Sequence, residues 1–280
     1  MLVTTFYSFK GGSGCSMLLA NVGWILASRG HRVLLWDCDF ESPGLHLLPD
    51  LQPTHVSSGF LDWLARWSGT KAEVSKARAR SLRSLVLPVK DQPGLSILPA
   101  FDRIEELGDV LERLTFLQTI ENDPDLATAY FRSVLATLQV DYDYVLIDSP
   151  DGFTHLGGLL TGLLPHVAVL VGKYGTRPHG LRHVTESLSP SPETTALRAQ
   201  AVLDDLRTLT VASFTVPEHE AATLQRRAWE ETMGRAPDIE VPFDPQLLID
   251  ERLPACRAST SPVLDACKIV ADRLEVLTRQ

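Results

Sequence analysis

The amino-acid sequence predicts an α/β fold, a doubly wound and mainly parallel sheet with helices on both faces. Short β-branched and aromatic runs, typical of buried strands, alternate with longer stretches whose apolar residues recur at helical spacing. A strand-like run, a glycine-rich loop and a helix-like run also follow one another over residues 2–27. Sheets of this kind bind ligands at the carboxyl ends of their strands, so we expect the functional site there.

Length and composition favour one domain over residues 1–280. The chain has 280 residues, of which 44% are hydrophobic, enough for one large α/β core or two small ones. The net charge of −9 argues against a surface that binds nucleic acid or anionic lipid over its whole extent. No segment reaches the roughly 18–20 consecutive apolar residues of a membrane span, so none is expected.

The four cysteines are scattered and form no C-x-x-C pair, which argues against a zinc site or a shared iron–sulfur cluster. Unpaired thiols are typical of a reducing compartment. We therefore expect a cytoplasmic location.

The glycine-rich loop reads Phe9-Lys10-Gly11-Gly12-Ser13-Gly14-Cys15-Ser16. Glycines let backbone N–H groups turn towards phosphate oxygens, the following helix N-terminus adds partial positive charge, and the Ser16 hydroxyl can ligate Mg²⁺. In the plain pattern G-x-x-x-x-G-K-[ST] the first glycine falls at Phe9 and the lysine at Cys15, so both are missing. Taken alone, the octapeptide fits an ordinary glycine-rich turn equally well.

The loop resembles the deviant Walker A motif, K-G-G-x-G-K-[ST], of the MinD/ParA family of P-loop ATPases. Lys10 matches the extra lysine of that motif, Ser16 and three glycines match as well, and Cys15 departs from it. In the family the early lysine reaches across a dimer interface to the partner's nucleotide, whereas the later one holds the β- and γ-phosphates in its own subunit. The resemblance implies that Lys10 reaches across a dimer interface, and that the protein is a homodimer that binds ATP and Mg²⁺. Because Cys15 replaces the later lysine of the motif, the contact of that lysine with the β- and γ-phosphates is in doubt. The nucleotide contacts expected from it are Gly11, Gly12, Ser13, Gly14, Cys15, Ser16, Met17 and Pro242.

Two acids follow the second predicted strand, over residues 32–36. Asp37 and Asp39 are two positions apart, and alternation along a strand lets both carboxylates face one site. The resemblance implies that Asp39 orients the attacking water and is coupled to Mg²⁺. The alternative is that both acids merely cap the loop at the strand end.

Residues 142–148 form a hydrophobic run that ends in Asp148, the Walker B pattern. Such an aspartate meets the Mg²⁺ water shell beside a phosphate-binding loop. Asp148-Ser149-Pro150 is similar to the D-x-P switch of the family, and Gly152 would let that segment move. By itself the run is better explained as a core strand with a terminal acid, and it gains weight from the other two motifs.

The later part of the chain bears on the base and on partners. Val241-Pro242-Phe243-Asp244 resembles the family's I-P-x-D loop beside the base, but Thr215-Val216-Pro217 lacks the base-reading asparagine, so adenine and guanine both stay open. A basic stretch over residues 71–90 fits a nucleic-acid or partner patch, although a solvated helix face is favoured because no aromatic residue is interleaved. Helices are expected near 58–67, 179–188, 193–206 and 262–277, with strands at 95–100, 166–172 and 209–214.

Two functions remain open. The first is a nucleotide-dependent dimerisation switch that controls an unidentified protein partner. In this hypothesis the protein is a weak ATPase with Lys10 and Asp39 as catalytic residues. Ser16, Asp39 and Asp148 would surround the metal. The second is a degenerate, non-hydrolysing scaffold or regulatory subunit, favoured by Cys15.

Overall fold

The computed structural model describes residues 1–53, 56, 58–67, 71–112, 114–174, 178–192, 195, 196, 198, 205–216, 219–250, 252–257 and 260–278. Most of the helix expected at 193–206 lies outside the described residues. Pro217, one of the three positions considered for base reading, also lies outside them.

The strands of the described part form one eight-stranded sheet in the order β3-β4-β2-β5-β1-β6-β7-β8. Every neighbouring pair is parallel except β3 and β4, which are antiparallel. The fold class predicted from the sequence is confirmed. The strands are β1 (Leu2–Ser8), β2 (Val33–Asp37), β3 (Leu87–Pro88), β4 (Leu95–Leu98), β5 (Tyr144–Asp148), β6 (Val167–Lys173), β7 (Arg207–Thr215) and β8 (Ile239–Pro242).

Helices cover both faces of this sheet. They are α1 (Cys15–Ser28), α2 (Phe60–Leu64), α3 (Lys76–Arg83), α4 (Leu107–Glu112), α5 (Thr115–Asn122), α6 (Pro124–Leu138), α7 (His155–Gly158), α8 (His179–Ser187), α9 (Ala222–Met233), α10 (Leu247–Asp250) and α11 (Pro262–Thr278). Short 3-10 turns lie at Leu45–Leu47, Ile104–Glu106 and Pro254–Cys256, and a π-helical turn at Leu159–Leu163 follows α7.

Side-chain alternation along the strands divides the core into two layers. Leu35 packs with α1 and α11 on one face, whereas Trp36 packs on the other against Phe60 and Phe131, with ring centroids 4.9 and 5.6 Å away. Burial on both faces explains why the strands read as continuous apolar runs in the sequence.

The basic stretch is partly engaged in packing. The Arg78 guanidinium stacks over the Trp63 ring, 4.0 Å from its centroid, and donates a 2.8 Å hydrogen bond to the Tyr130 hydroxyl. Arg83 pairs with Asp141 at 2.7 Å. These contacts favour the interpretation of α3 as a helix packed on the domain over that of a nucleic-acid patch.

The C-terminal helix α11 packs on the domain. Its buried residues Val263, Cys267 and Val270 belong to the same core layer as α1. Among the residues described, no helix is both long and apolar enough to cross a membrane.

Candidate functional site

The glycine-rich loop joins the carboxyl end of β1 to the first residue of α1. Gly12 and Gly14 have φ values of 73° and 79°, the left-handed region that glycine adopts without steric cost. Gly14 directly precedes α1, and no side chain caps this helix N-terminus. The first N–H groups of α1 are therefore available to an anion, and helix N-termini favour anions electrostatically.

Strand register brings two of the predicted acids to the foot of this loop. Asp37 at the end of β2 pairs with Asp148 at the end of β5, and Asp148 pairs in turn with Phe6 of β1. Asp148 is buried, with 4% of its surface exposed, and accepts a hydrogen bond from the Ser16 side chain. Ser16 and Asp148, far apart in sequence, thus meet where the sequence predicted a Mg²⁺ site.

Asp37 and Asp39 have different surroundings, which corrects the expectation that both carboxylates face one site. The Asp37 carboxylate is fully buried and accepts backbone N–H groups of Asp39, Gly44 and Leu45 at 3.1, 3.3 and 3.2 Å. Asp37 therefore caps its own loop, as the alternative interpretation held. Asp39 lines the cavity and accepts the backbone N–H group of Ser42, at 3.2 Å, and that of Glu41.

A cavity of about 420 Å³ extends from the glycine loop towards β8 and α11. This volume lies within the range of about 300–1,000 Å³ typical of small-molecule sites. One end is polar, with loop residues, Asp39 and Asp148, and the other is apolar, with Met17, Leu247 and Val263. The predicted contact residues that line it are Gly12, Ser13, Gly14, Cys15, Ser16, Met17, Asp39, Asp148 and Pro242; Lys10 and Gly11 do not line it.

Comparison with known proteins identifies the family. Residues 4–206 match the model described as the CobQ/CobB/MinD/ParA nucleotide binding domain. The chain belongs to this family.

A curated relative and two solved structures agree with this assignment. A putative septum site-determining protein MinD of Guillardia theta is 29% identical over 150 residues, which cover 54% of this chain and 45% of that protein. The aligned region thus spans less than half the length of that relative. Among solved structures, a septum site-determining protein MinD of Pyrococcus horikoshii complexed with Mg-ADP is 20% identical, with a TM-score of 0.68 and coverage of 99% of this chain and 96% of that chain. A MinC:MinD cell division protein complex of Aquifex aeolicus is 21% identical, with a TM-score of 0.66 and coverage of 99% and 96%.

The cavity of this MinD/ParA-type domain is strongly acidic at its polar end. Burial is the main reason that the pKa of Asp37 rises from 3.8 to about 7, that of Asp39 to about 6, and that of Asp148 well above its usual range. Repulsion between neighbouring carboxylates adds to each of these shifts. Carboxylates in this state gain stability from any cation that binds beside them.

Cys15 does not supply that cation. Its thiol is buried, and burial, with the nearby Asp148, Asp151 and Asp39, raises its pKa well above the usual range. The thiol is therefore neutral at physiological pH, so it neither attracts a phosphate nor repels it by charge. A lysine at this position would instead place a positive charge beside these carboxylates.

Asp151 is a site residue that the sequence interpretation missed. Its carboxylate accepts a hydrogen bond from the Ser8 hydroxyl, which also lies 3.1 Å from the Lys10 carbonyl oxygen. A Cβ on Gly11 would lie 3.0 Å from Asp151 Oδ2, so a glycine at position 11 lets this acid approach the loop. Asp151 directly follows the Asp148-Ser149-Pro150 segment in the sequence, but its contact with Ser8 depends on the pairing of β1 with β5.

Phe214 was also missed. It is the only non-glycine residue with positive φ in the described part of the chain, at 57°, and it sits in an irregularity between Ser213 and Thr215 of β7. Its ring lines the cavity and lies 6.0 Å from the Phe243 ring. An aromatic ring therefore lies close to the position where the family commonly has a base-reading asparagine.

The shape and backbone of the loop suit the phosphates of a nucleotide with Mg²⁺, whereas the side-chain charge of the cavity does not. The glycine loop and uncapped helix suit a phosphate, and the Ser13 hydroxyl is buried without a hydrogen-bond partner. No cluster of three metal-ligating side chains occurs in the described residues. A metal here would depend on phosphate oxygens to complete its coordination, as is common for Mg²⁺.

The raised pKa values predict an unusual pH dependence of stability. Asp39 has a pKa of about 6 in the folded chain and near 3.8 when unfolded, so between these values the folded chain holds the proton more tightly. Its contribution therefore lowers the free energy of unfolding as pH rises from about 4 to 6, and Asp37 extends the effect to about pH 7. Asn at position 39 cannot titrate, so Asp39→Asn should flatten this fall in urea denaturation of the nucleotide-free protein from pH 4.5 to 8.

Asp91→Asn, at an exposed turn before β4, is the matched control and should follow the wild-type pH profile. The prediction fails if Asp39→Asn and wild type have parallel profiles.

Proposed function

We propose that this chain is a nucleotide-dependent dimerisation switch that binds ATP with Mg²⁺, hydrolyses it slowly and thereby controls a protein partner. The proposal rests on family membership together with one feature, the hydrogen bond from Ser16 to the buried Asp148 at the foot of the glycine loop. A hydroxyl and a carboxylate beside an anion-binding helix N-terminus form a site for a cation that accompanies phosphate.

Ser16 and Asp148 would hold Mg²⁺, Ser16 directly and Asp148 through the water shell of the ion. When bound, the ion would neutralise part of the phosphate charge. The N–H groups of the loop and of α1 would take the phosphate oxygens. Met17, Pro242 and the apolar end of the cavity would take the base.

Asp39 would orient the attacking water. Its carboxylate lines the cavity, whereas the carboxylate of Asp37 accepts hydrogen bonds from three backbone N–H groups. With a pKa of about 6 it is mostly ionised at neutral pH and can accept a hydrogen bond from water.

Lys10 would act across a dimer interface, as the resemblance implies. Its side chain is exposed and does not line the cavity of its own subunit. In this arrangement Lys10 contacts a nucleotide only when the nucleotide-binding faces of two subunits meet. Dimer formation would therefore depend on bound nucleotide.

The segment after β5 would carry the change of state to the surface. It contacts three successive residues around the end of β1: the Tyr7 hydroxyl donates to the Gly152 carbonyl at 2.9 Å, Ser8 donates to Asp151, and the rings of Phe9 and Phe153 lie 5.1 Å apart. Phe153 is 60% exposed. A phosphate that displaces Asp151 from Ser8 would therefore also disturb an exposed aromatic residue, a suitable contact for a partner.

The second candidate is a non-hydrolysing scaffold, and Cys15 favours it. A charge-assisted hydrogen bond contributes about 1.5–3 kcal/mol, so its loss weakens binding by about 10- to 150-fold. If nothing else supplied this charge, cellular nucleotide would fill the site poorly.

Binding separates the two candidates. Wild type should bind Mg·ATP in isothermal titration calorimetry, and Cys15→Lys should bind it more tightly because the lysine adds a positive charge beside the phosphates, by about 10- to 150-fold where no other lysine contacts them and by less where one does. The same titration with GTP tests the choice of base.

Cys15→Ala is the control, since it removes the thiol without adding charge and should bind like wild type. The absence of heat with millimolar ATP in both wild type and Cys15→Lys would support the scaffold and reject the switch.

Assembly should depend on Lys10. A non-hydrolysable ATP analogue should raise the mass of wild type to that of a dimer in light scattering, and Lys10→Ala should remain largely monomeric because its partner's phosphate charge is not neutralised. Lys90→Ala, an exposed lysine after β3, should dimerise like wild type. A mass that is independent of nucleotide in all three proteins would contradict the switch.

Hydrolysis should be slow and should depend on Asp39. A loss of about 3 kcal/mol of transition-state stabilisation at position 15 lowers the rate about 150-fold, so wild-type turnover must be judged against an internal control. Asp39→Ala should abolish phosphate release while calorimetry finds Mg·ATP binding nearly unchanged. Equal release by wild type and Asp39→Ala would mean that the activity belongs to a contaminant.

A further inference from the structure

Lys173, the last residue of β6, lies on the face of the sheet that carries the glycine loop. Val167, Val169 and Val171 of the same strand are buried in the core layer of α1, and Val171 also lines the cavity. Because side chains alternate along a strand, Lys173 continues this row. It is exposed and lies at the carboxyl end of β6, next to β1, from which the loop starts.

Phe214 connects Lys173 to the loop. The Lys173 ammonium lies 5.1 Å from the centroid of the Phe214 ring, within the range of a cation–π contact. The tip of the same ring lies 3.6 Å from the position that a Cβ on Gly14 would occupy. One aromatic ring thus contacts both the ammonium and the glycine that precedes α1.

The backbone of Phe214 is held in an unfavourable conformation to place the ring there. A φ of 57° is a genuine outlier for a bulky residue, and such conformations persist where the surrounding structure imposes them, often at ligand sites. The break in the β7–β8 register at Ser213 and Thr215 accompanies it. Lys173 pairs with Ser213 in the neighbouring register, so the distortion lies directly beside the lysine.

The cavity itself offers no positive charge. Its lining, within the described residues, includes Asp39, Asp148 and Asp151 but no lysine, arginine or histidine. A lysine of the same subunit can therefore reach a bound polyphosphate only from outside this lining, and Lys173 lies against Phe214, which lines the cavity.

We propose that Lys173 supplies, within its own subunit, the positive charge that the loop lacks at position 15, and that it contacts the phosphates of the bound nucleotide. Phe214 is the positioning residue that keeps the ammonium beside Gly14. This inference rests on the proposed nucleotide binding and adds a residue that neither the motif nor the family match assigns.

The test is calorimetric titration of Lys173→Gln with the Mg²⁺ complexes of ATP and ADP and with AMP. The variant should bind ATP about 10-fold more weakly than wild type, and the loss should shrink as the number of phosphates falls. Lys173→Arg should recover most of the affinity. Lys90→Gln, the same change at a distant exposed lysine, should bind all three nucleotides like wild type. The thermal midpoint of the nucleotide-free Lys173→Gln should match that of wild type, since the side chain is exposed.

Two further variants test the proposed substitution of charge. When Lys173→Gln is added to Cys15→Lys, the affinity for Mg·ATP should fall by less than about 3-fold. Both lysines would contact the phosphates, so their effects on affinity are not additive. Phe214→Leu should reproduce part of the loss with ATP, and adding it to Lys173→Gln should change little.

The outcomes separate this inference from the proposed function. If wild type binds Mg·ATP and Lys173→Gln binds it equally well, Lys173 is not the missing cation, and the nucleotide site stands without it. A loss that is the same for ATP and AMP also overturns the inference, because it indicates a role outside the phosphates. If neither wild type nor Cys15→Lys binds nucleotide, both the inference and the proposed function fail.

Discussion

Buried acidic side chains lie at the ends of β2 and β5 beside the N-terminus of α1, and the net charge of this region determines what the site can bind. Asp37 and Asp148 stand in register at the ends of β2 and β5, and Asp39 follows two residues later. Burial of carboxylates is unfavourable unless they are protonated, hydrogen-bonded or paired with a cation. Backbone N–H groups satisfy Asp37, and the Ser16 hydroxyl satisfies Asp148 only in part. A bound cation would supply the rest of the stabilisation that these buried carboxylates need.

The shape and the charge of the loop above these acids depend on different residues. Shape depends on Gly12 and Gly14, whose left-handed backbone turns the chain into α1, and on Gly11, whose missing Cβ leaves room for Asp151. Position 15, which begins α1 and lines the cavity, carries the neutral thiol of Cys15. Because the two properties reside in different residues, a loop of this family can retain its anion-binding backbone while its affinity is set elsewhere, in our proposal at Lys173.

The residues around the site also connect it to a surface. Tyr7, Ser8 and Phe9 each contact the segment after β5, and Phe153 of that segment packs edge to face on both Phe9 and His183 of α8. The Phe9 ring occupies the space that a side chain at Gly180 would need, with ring atoms 2.0 Å from an ideal Cβ. Phe9 of the loop is thus packed between the segment after β5 and α8.

The sequence by itself determined the fold class, the strand–loop–helix unit at the glycine-rich loop and the acids that follow β2 and β5. Those features follow from local patterns: continuous apolar strands, glycines before a helix, and acids directly after strands. Ser16 and Asp148 were found in this way, Asp39 was singled out by the resemblance to the MinD/ParA family, and the structure places all three around one cavity.

Only the tertiary structure decided which acid caps a loop and which faces the cavity, that the Cys15 thiol stays neutral, that Asp151 and Phe214 lie beside the loop, and that Lys173 lies against the Phe214 ring. The physical reason is that these properties arise between distant segments. Asp151 meets Ser8 through the pairing of β1 with β5, and the ring of Phe214, whose backbone is distorted, lies near both Gly14 and Lys173. Strand register, a local β irregularity and burial within a cluster of like charges leave no periodic signal along the chain, so no local pattern could predict them.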